Sequence, residues 1–317
     1  MRKNVFILCC LGMVILLNHS AFSQKITIEK SYPEAFLRAY DNYVNKNYAA
    51  SFEQFSALVE QTPQDREELL QDIMFYRASS AYEMMNKDAD ALLCEFISLC
   101  PQSAHCNEAY FLLANFYARG ERYDQAIEVY SKMNVAILNQ DDKFEYYYKR
   151  GHCLFMLNRY DEALEEFDKV KDAKSKFAAP STYFYAHILY EQGRYNLALK
   201  EFLTLQEDKS FGKIVPYYIA HIYYYQENYE ELIKIAPSLS EKSQSKRSGE
   251  LNRMLGDAYY KLGQYKEATP YLIKAAEQEG ADVQDYYLLG FSLMEEKDFK
   301  QAKTYLAKAI EKKDSLA

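Results

Sequence analysis

One feature limits this chain more than any other: it repeats itself. YFYAHILY at 183–190 is rewritten as YYIAHIYY at 217–224, and a weaker copy, YKRGHCLF, stands at 148–155. Extending the frame gives a column of small residues, Ala114, Gly151, Ala186, Ala220, Gly256 and Gly290, at intervals of 37, 35, 34, 36 and 34. Nine residues further on each time stands an aromatic ring, from Tyr123, Tyr160, Tyr195, Tyr229 and Tyr265 to Phe299. Three beyond that come Ala126, Ala163, Ala198, Leu232, Ala268 and Ala302, and four later Tyr130, Phe167, Phe202, Leu272 and Leu306, with Ala236 interrupting.

Apolar steps of three and four on both sides of a short polar break such as ARGER or KLGQ predict two helices per unit. Small residues on each helix let the pair approach closely, and the large ones fill the seams. One pair cannot bury both of its faces, so the units must stack. Two weaker units precede the six, at 32–63 with Ala39, Tyr48, Ser51 and Phe55, and at 70–101 with Tyr82, Ala89, Leu93 and Phe96.

These residues resemble the tetratricopeptide repeat family. The best match is RMLGDAYYKLGQYKEATPYLIKA at 253–275, with Leu255, Gly256, Tyr259, Gly263, Tyr265 and Ala268 in the family's places. The chain departs from the pattern in having no tryptophan, and its closing proline appears only as Pro63 and Pro101. The resemblance implies an all-α, right-handed α-solenoid of about eight stacked helix-turn-helix repeats over 32–317, the clear ones starting near 107, 144, 179, 213, 249 and 283. Residues 94–133 also resemble exported bacterial repeat proteins of the outer-membrane-assembly and cell-division-coordinating type, and the whole frame is similar to the N-terminal part of very long exported bacterial repeat proteins.

Residues 1–23 read as a secretory signal, with basic Arg2 and Lys3, an apolar run from Val5 to Leu17 and a small-x-small site before Gln24. Residues 24–31 are then an N-terminal linker, and the mature chain is expected in the cell envelope, in the periplasm, without a transmembrane span. Large residues before Cys9 and Cys10 argue against a lipid anchor. Removing the signal takes the formal charge from −8 to −10, which offers no footprint for nucleic acid. Cys94, Cys100, Cys106 and Cys153 remain, with no CxxC spacing for zinc; Cys100 and Cys106 could close a small bridge across Pro101 or remain buried thiols.

No phosphate loop, metalloprotease or nucleophile-elbow motif occurs, and the acidic runs read as solvated helix faces, so no enzyme, cofactor or metal is expected. SLSEKSQSKRSGE at 238–250 reads as an extended connection. DSLA alone follows the last repeat, so its face at Tyr305, Leu306 and Ala309 is expected to need cover from further repeats or another chain.

Within each first helix, residues three before, one after and four after the small residue share a stripe. The resemblance places that stripe on the concave surface. Its richest part is Tyr148, His152, Phe155, then Tyr183, His187, Tyr190, then Tyr217, His221, Tyr224. It admits a stiffened inner wall, a surface for an extended protein segment, or a carbohydrate platform. Metal binding is disfavoured, because helices about 8–10 Å apart rarely bring two imidazoles within about 2 Å of one ion. The expectation is a non-catalytic protein–protein interaction scaffold whose nine stripe residues, lying off the seam, bind a partner. The alternative is a carbohydrate-binding protein like the outer-membrane starch-capture family, ranked second because this chain lacks large insertions.

Overall fold

A computed structural model describes residues 32–242, 245–278 and 280–314. The expected signal peptide and the linker at 24–31 lie outside them, as does Ser315 onward. Among the described residues every regular element is helical, and none of the helices is long and apolar enough to cross a membrane.

The chain forms two compact units, one ending at Arg159 and one starting at Tyr160. The first holds α1 (Glu34–Val44), α2 (Tyr48–Gln61), α3 (Glu67–Glu83), α4 (Ala89–Leu99), α5 (Cys106–Arg119), α6 (Tyr123–Ser131) and α7 (Gln140–Met156). The second holds α8 (Tyr160–Asp168), α9 (Ala178–Glu191), α10 (Tyr195–Thr204), α11 (Val215–Tyr225), α12 (Tyr229–Lys242), α13 (Ser245–Lys261), α14 (Tyr265–Ala276), α15 (Val283–Glu295) and α16 (Phe299–Asp314). Within each unit a helix packs on its sequence neighbours, so each is a stack of helix-turn-helix repeats of the solenoid kind the spacing predicts.

The residue columns explain this packing. The small column, extended back to Ala78 and Ala39, is buried throughout. A Cβ on Gly256 would stand 2.5 Å from Leu272 Cδ2, and one on Gly290 2.6 Å from Leu306 Cγ, so the small residue is the socket for the large one four residues past the second helix's alanine. In seven of eight pairs the aromatic column supplies the first residue of the second helix.

Seven residues after each small residue the chain turns left-handed, at Lys46, Met85, Glu121, Asn158, Gly193, Glu227, Gly263 and Lys297, with φ between 55° and 71°. The next amide then reaches back to the carbonyl five residues earlier, as from Asn228 to Tyr223 at 2.9 Å and Arg194 to Leu189 at 2.8 Å, which closes the first helix.

The segment 238–250 is not an extended connection. Helix α12 continues through Pro237 to Lys242 and α13 begins at Ser245. Burial decides it: Ala236 on α12 and Leu251, Met254 and Leu255 on α13 share one apolar cluster, with Ile235 and Leu239 packed against it. Tertiary packing outweighs the modest helix penalties of serine.

Among the described residues the last repeat carries an apolar groove. Phe299 and Ile310 are exposed, and with Met294, Ala302, Leu306 and Ala307 they line a groove of about 420 Å³. Cys94, Cys100, Cys106 and Cys153 are free thiols.

Candidate functional site

The stripe residues divide by unit. In the first, Tyr148, His152 and Phe155 on α7 are all half-buried. Burial pushes the His152 imidazole down to about 4, so it is neutral at physiological pH. Tyr148 and His152 face each other at 6.4 Å between ring centroids.

In the second unit, Tyr190, Tyr217 and Tyr224 are half-buried, whereas His187 and His221 are only 4% and 5% exposed and Tyr183 is buried. Tyr183 does not lie off the seam. It belongs to the apolar cluster of α9, α10 and α11, stacked at 4.8 Å on Phe211 from the α10–α11 connection and set edge-on to Phe202 at 6.3 Å. The long connection folds Phe211 under Tyr183 and converts a wall position into core. Burial holds His187 down to about 4, and it lowers His221 against the opposing pull of Glu250.

A recurring bond links one repeat to the next. In three places the tyrosine four after the small residue bonds the polar residue one after the small residue of the following repeat, whereas Tyr82, in the same place, accepts from Arg119. Thus Tyr43 meets Ser79 Oγ at 2.8 Å, Tyr190 meets His221 Nδ1 at 3.4 Å and Tyr224 donates to Asp257 Oδ2 at 2.7 Å. Further rungs join Tyr217 to Glu250, and Arg253 to both oxygens of Asp285 at 2.5 and 2.6 Å. His221 of the copied text is thus a ladder rung, sharing a hydrogen bond with Tyr190 in an otherwise apolar wall.

Sequence reasoning missed the partners Glu250 and Asp257 and the aromatic neighbours Tyr218 and Tyr225. Tyr218 stacks on Phe202 at 4.9 Å, and Tyr225, 46% exposed, stacks on Tyr195 at 5.3 Å. A usable signal existed, since Tyr217 and Glu250, like Tyr224 and Asp257, are 33 residues apart, nearly one period.

A separate polar cluster ties the first unit together. His105 stacks on Phe75 at 4.2 Å, and its Nε2 lies 3.2 Å from Asp72 Oδ1, while Tyr32 donates to the other Asp72 oxygen at 2.6 Å. Burial works against a charge on His105, but the Asp72 bond and then Glu108 overcome it and raise the imidazole to about 9. His105 is therefore a buried cation paired with a carboxylate, a packing role.

The described residues hold no group of three metal-ligating side chains. The aromatic block offers half-exposed tyrosine faces with hydroxyls already committed, a surface suited to burying a partner's apolar and extended backbone surface.

Comparison with known proteins agrees with this architecture. Residues 108–132, 144–173, 251–282 and 286–311 match the tetratricopeptide repeat family. A curated relative, the signal recognition particle subunit SRP72 of Dictyostelium discoideum, is 28% identical over 172 residues, 54% of this chain. The chain spans only 24% of that relative's length. Among solved structures, a tetratricopeptide repeat protein from Parabacteroides merdae is 16% identical, with a TM-score of 0.48, over 82% of this chain and 98% of the other. MamA from Desulfovibrio magneticus RS-1 is 18% identical, with a TM-score of 0.46, over 56% of this chain and 98% of its own. With its recurring columns, its helix pairs and four matched segments, the chain carries tetratricopeptide repeats.

Proposed function

We propose that the chain is a non-catalytic protein–protein interaction scaffold of the cell envelope, receiving an extended segment of a partner along the inner stripe. One observation carries this reading: Tyr190 and Tyr224 are held by hydroxyl bonds to the next repeat while their rings stay partly exposed. Anchoring a ring before the partner arrives removes part of the ordering cost of binding, and tyrosine supplies large contact area for few rotatable bonds. The buried members, Tyr183, His187 and His221, position that surface and do not themselves form it. Export is part of the reading and rests on the basic start, apolar run and cleavage site of residues 1–23.

The test is site-specific photocrosslinking in the native envelope. A photoreactive residue replacing Tyr190, Tyr217 or Tyr224 should trap one and the same partner, and one replacing the exposed Lys200 on α10 should not. Equal crosslinking from Lys200, or different products from each stripe position, would sink the reading. Mass spectrometry of the exported chain should find Gln24 at its N-terminus; an intact Met1 would remove the envelope from the account.

A further inference from the structure

Helix α13 puts two carboxylates on the inner stripe, Glu250 and Asp257, seven residues and so about 10.5 Å apart on one face. Neither pairs with a lysine or arginine. Glu250 accepts from the Tyr217 hydroxyl, and its nearest basic neighbour is the Nε2 of His221 at 3.7 Å, an imidazole that burial keeps neutral. That Nε2 is itself buried and makes no hydrogen bond. Asp257 is 8% exposed; its Oδ2 accepts from Tyr224, and its Oδ1 is buried with no hydrogen bond at all. Arg253 lies between them in sequence, but its Nε and Nη2 donate to Asp285 on α15, so its ion pair is with Asp285 and with neither of them.

Tyrosines surround this pair of charges. Tyr224 stands over Asp257, with Tyr229 edge-on to it at 6.2 Å. Tyr260 follows Asp257 by three residues on the same helix and is set edge-on to Tyr265 at 5.4 Å. Burial first, and the Asp257 charge after it, raise the Tyr229 hydroxyl. A carboxylate oxygen removed from water and left without a donor is costly. Tyrosine faces attract cations, more strongly where water is excluded.

We propose that the stripe from Tyr217 to Tyr260 is a subsite for the cationic side chains, lysine or arginine, of an extended partner segment, with Asp257 the inner charge and Glu250 the outer one. This deepens the scaffold reading and rests on it. The spacing selects the backbone. A polyproline II segment repeats every three residues, so its side chains at i and i+3 project from one side about 9.3 Å apart, close to the separation along α13. Basic residues in that register meet both carboxylates, and tyrosine rings flank their stems.

The probe is the blocked peptide Lys-Pro-Pro-Lys, with norleucine and glutamate replacing both lysines as controls, titrated calorimetrically into the full chain at low salt. The lysine peptide should bind saturably and the controls should not. Asp257→Asn, which keeps an acceptor for Tyr224, should weaken binding at least about tenfold, a loss of about 1.4 kcal/mol, with helicity unchanged by circular dichroism. Glu250→Gln, at an exposed site, should weaken it too and serves if Asp257→Asn fails to fold. Absence of saturable lysine-peptide binding, equal binding by the norleucine peptide, or unchanged affinity in both variants overturns the subsite. Any of these together with intact partner crosslinking from Tyr190 would discard the cation preference and leave the scaffold standing.

Discussion

Each helix pair turns on a single residue with positive φ, and six of those eight residues are not glycine. A left-handed conformation costs an L-residue roughly 1–2 kcal/mol, while glycine's extra chain entropy costs roughly 0.5–1 kcal/mol, so glycine wins where its partners are unaffected. Glu227→Gly and Lys297→Gly should each stabilise the chain by about 0.5–1 kcal/mol in urea unfolding; no gain from either would refute the assignment. The small column behaves in the opposite sense. Gly256→Val must displace Leu272, which is fully buried, and should cost about 1–3 kcal/mol, whereas Gly263→Val is strained by its φ of 71° and not by any neighbour. The small column was legible because sterics admit few residue types at the closest approach of two helices. The left-handed column was not: lysine, methionine and glutamate occupy it, and the local closing bonds impose the geometry whatever the side chain.

Within the helices, buried histidines carry opposite charge states, and pH should resolve them. His152 and His187 have imidazoles held down to about 4, against about 6.5 in the unfolded chain, so they favour the folded state fully above pH 6.5. As pH falls from 6.5 toward 4 the unfolded chain takes up protons that the folded chain refuses, and each histidine removes up to about 3 kcal/mol of stability. His105 works the other way. Raised to about 9, it contributes fully below pH 6.5 and loses its contribution as pH climbs through 9. His187→Phe should therefore flatten the acid side of the stability profile, and His105→Gln the alkaline side, each measured by urea midpoint against pH. An unchanged acid limb in His187→Phe would contradict the burial assigned to it. The copied text made these positions visible as a stripe, but alternation alone could not tell the half-exposed Tyr217 from the buried Tyr183. That difference depends on Phe211, brought beneath Tyr183 by a connection outside the repeating frame. The helical course of 238–242 in α12 and 245–250 in α13 escaped for the same reason, since a long-range apolar cluster outweighed a serine-rich composition.

For the whole molecule, stability and recognition are distributed differently. Within each unit a helix packs chiefly on its neighbours in sequence, so the stability of each unit is the sum of many similar seams. The repeating architecture was legible from the spacing alone, because a period of 34–37 residues leaves room for two helices and nothing else that buries those columns. The partner was not, because it is selected by the few half-exposed residues that packing leaves unconstrained. The deciding measurement compares affinity with stability in one variant, Tyr217→Ala and Tyr224→Ala combined, which leaves Tyr183, His187 and His221 in place. Affinity for the crosslinked partner should fall by more than about 100-fold, at least about 2.7 kcal/mol, while the thermal midpoint shifts by only a few degrees. A large fall in the midpoint with affinity intact in the folded fraction would show that the stripe serves only to stiffen the wall, and would contradict the account.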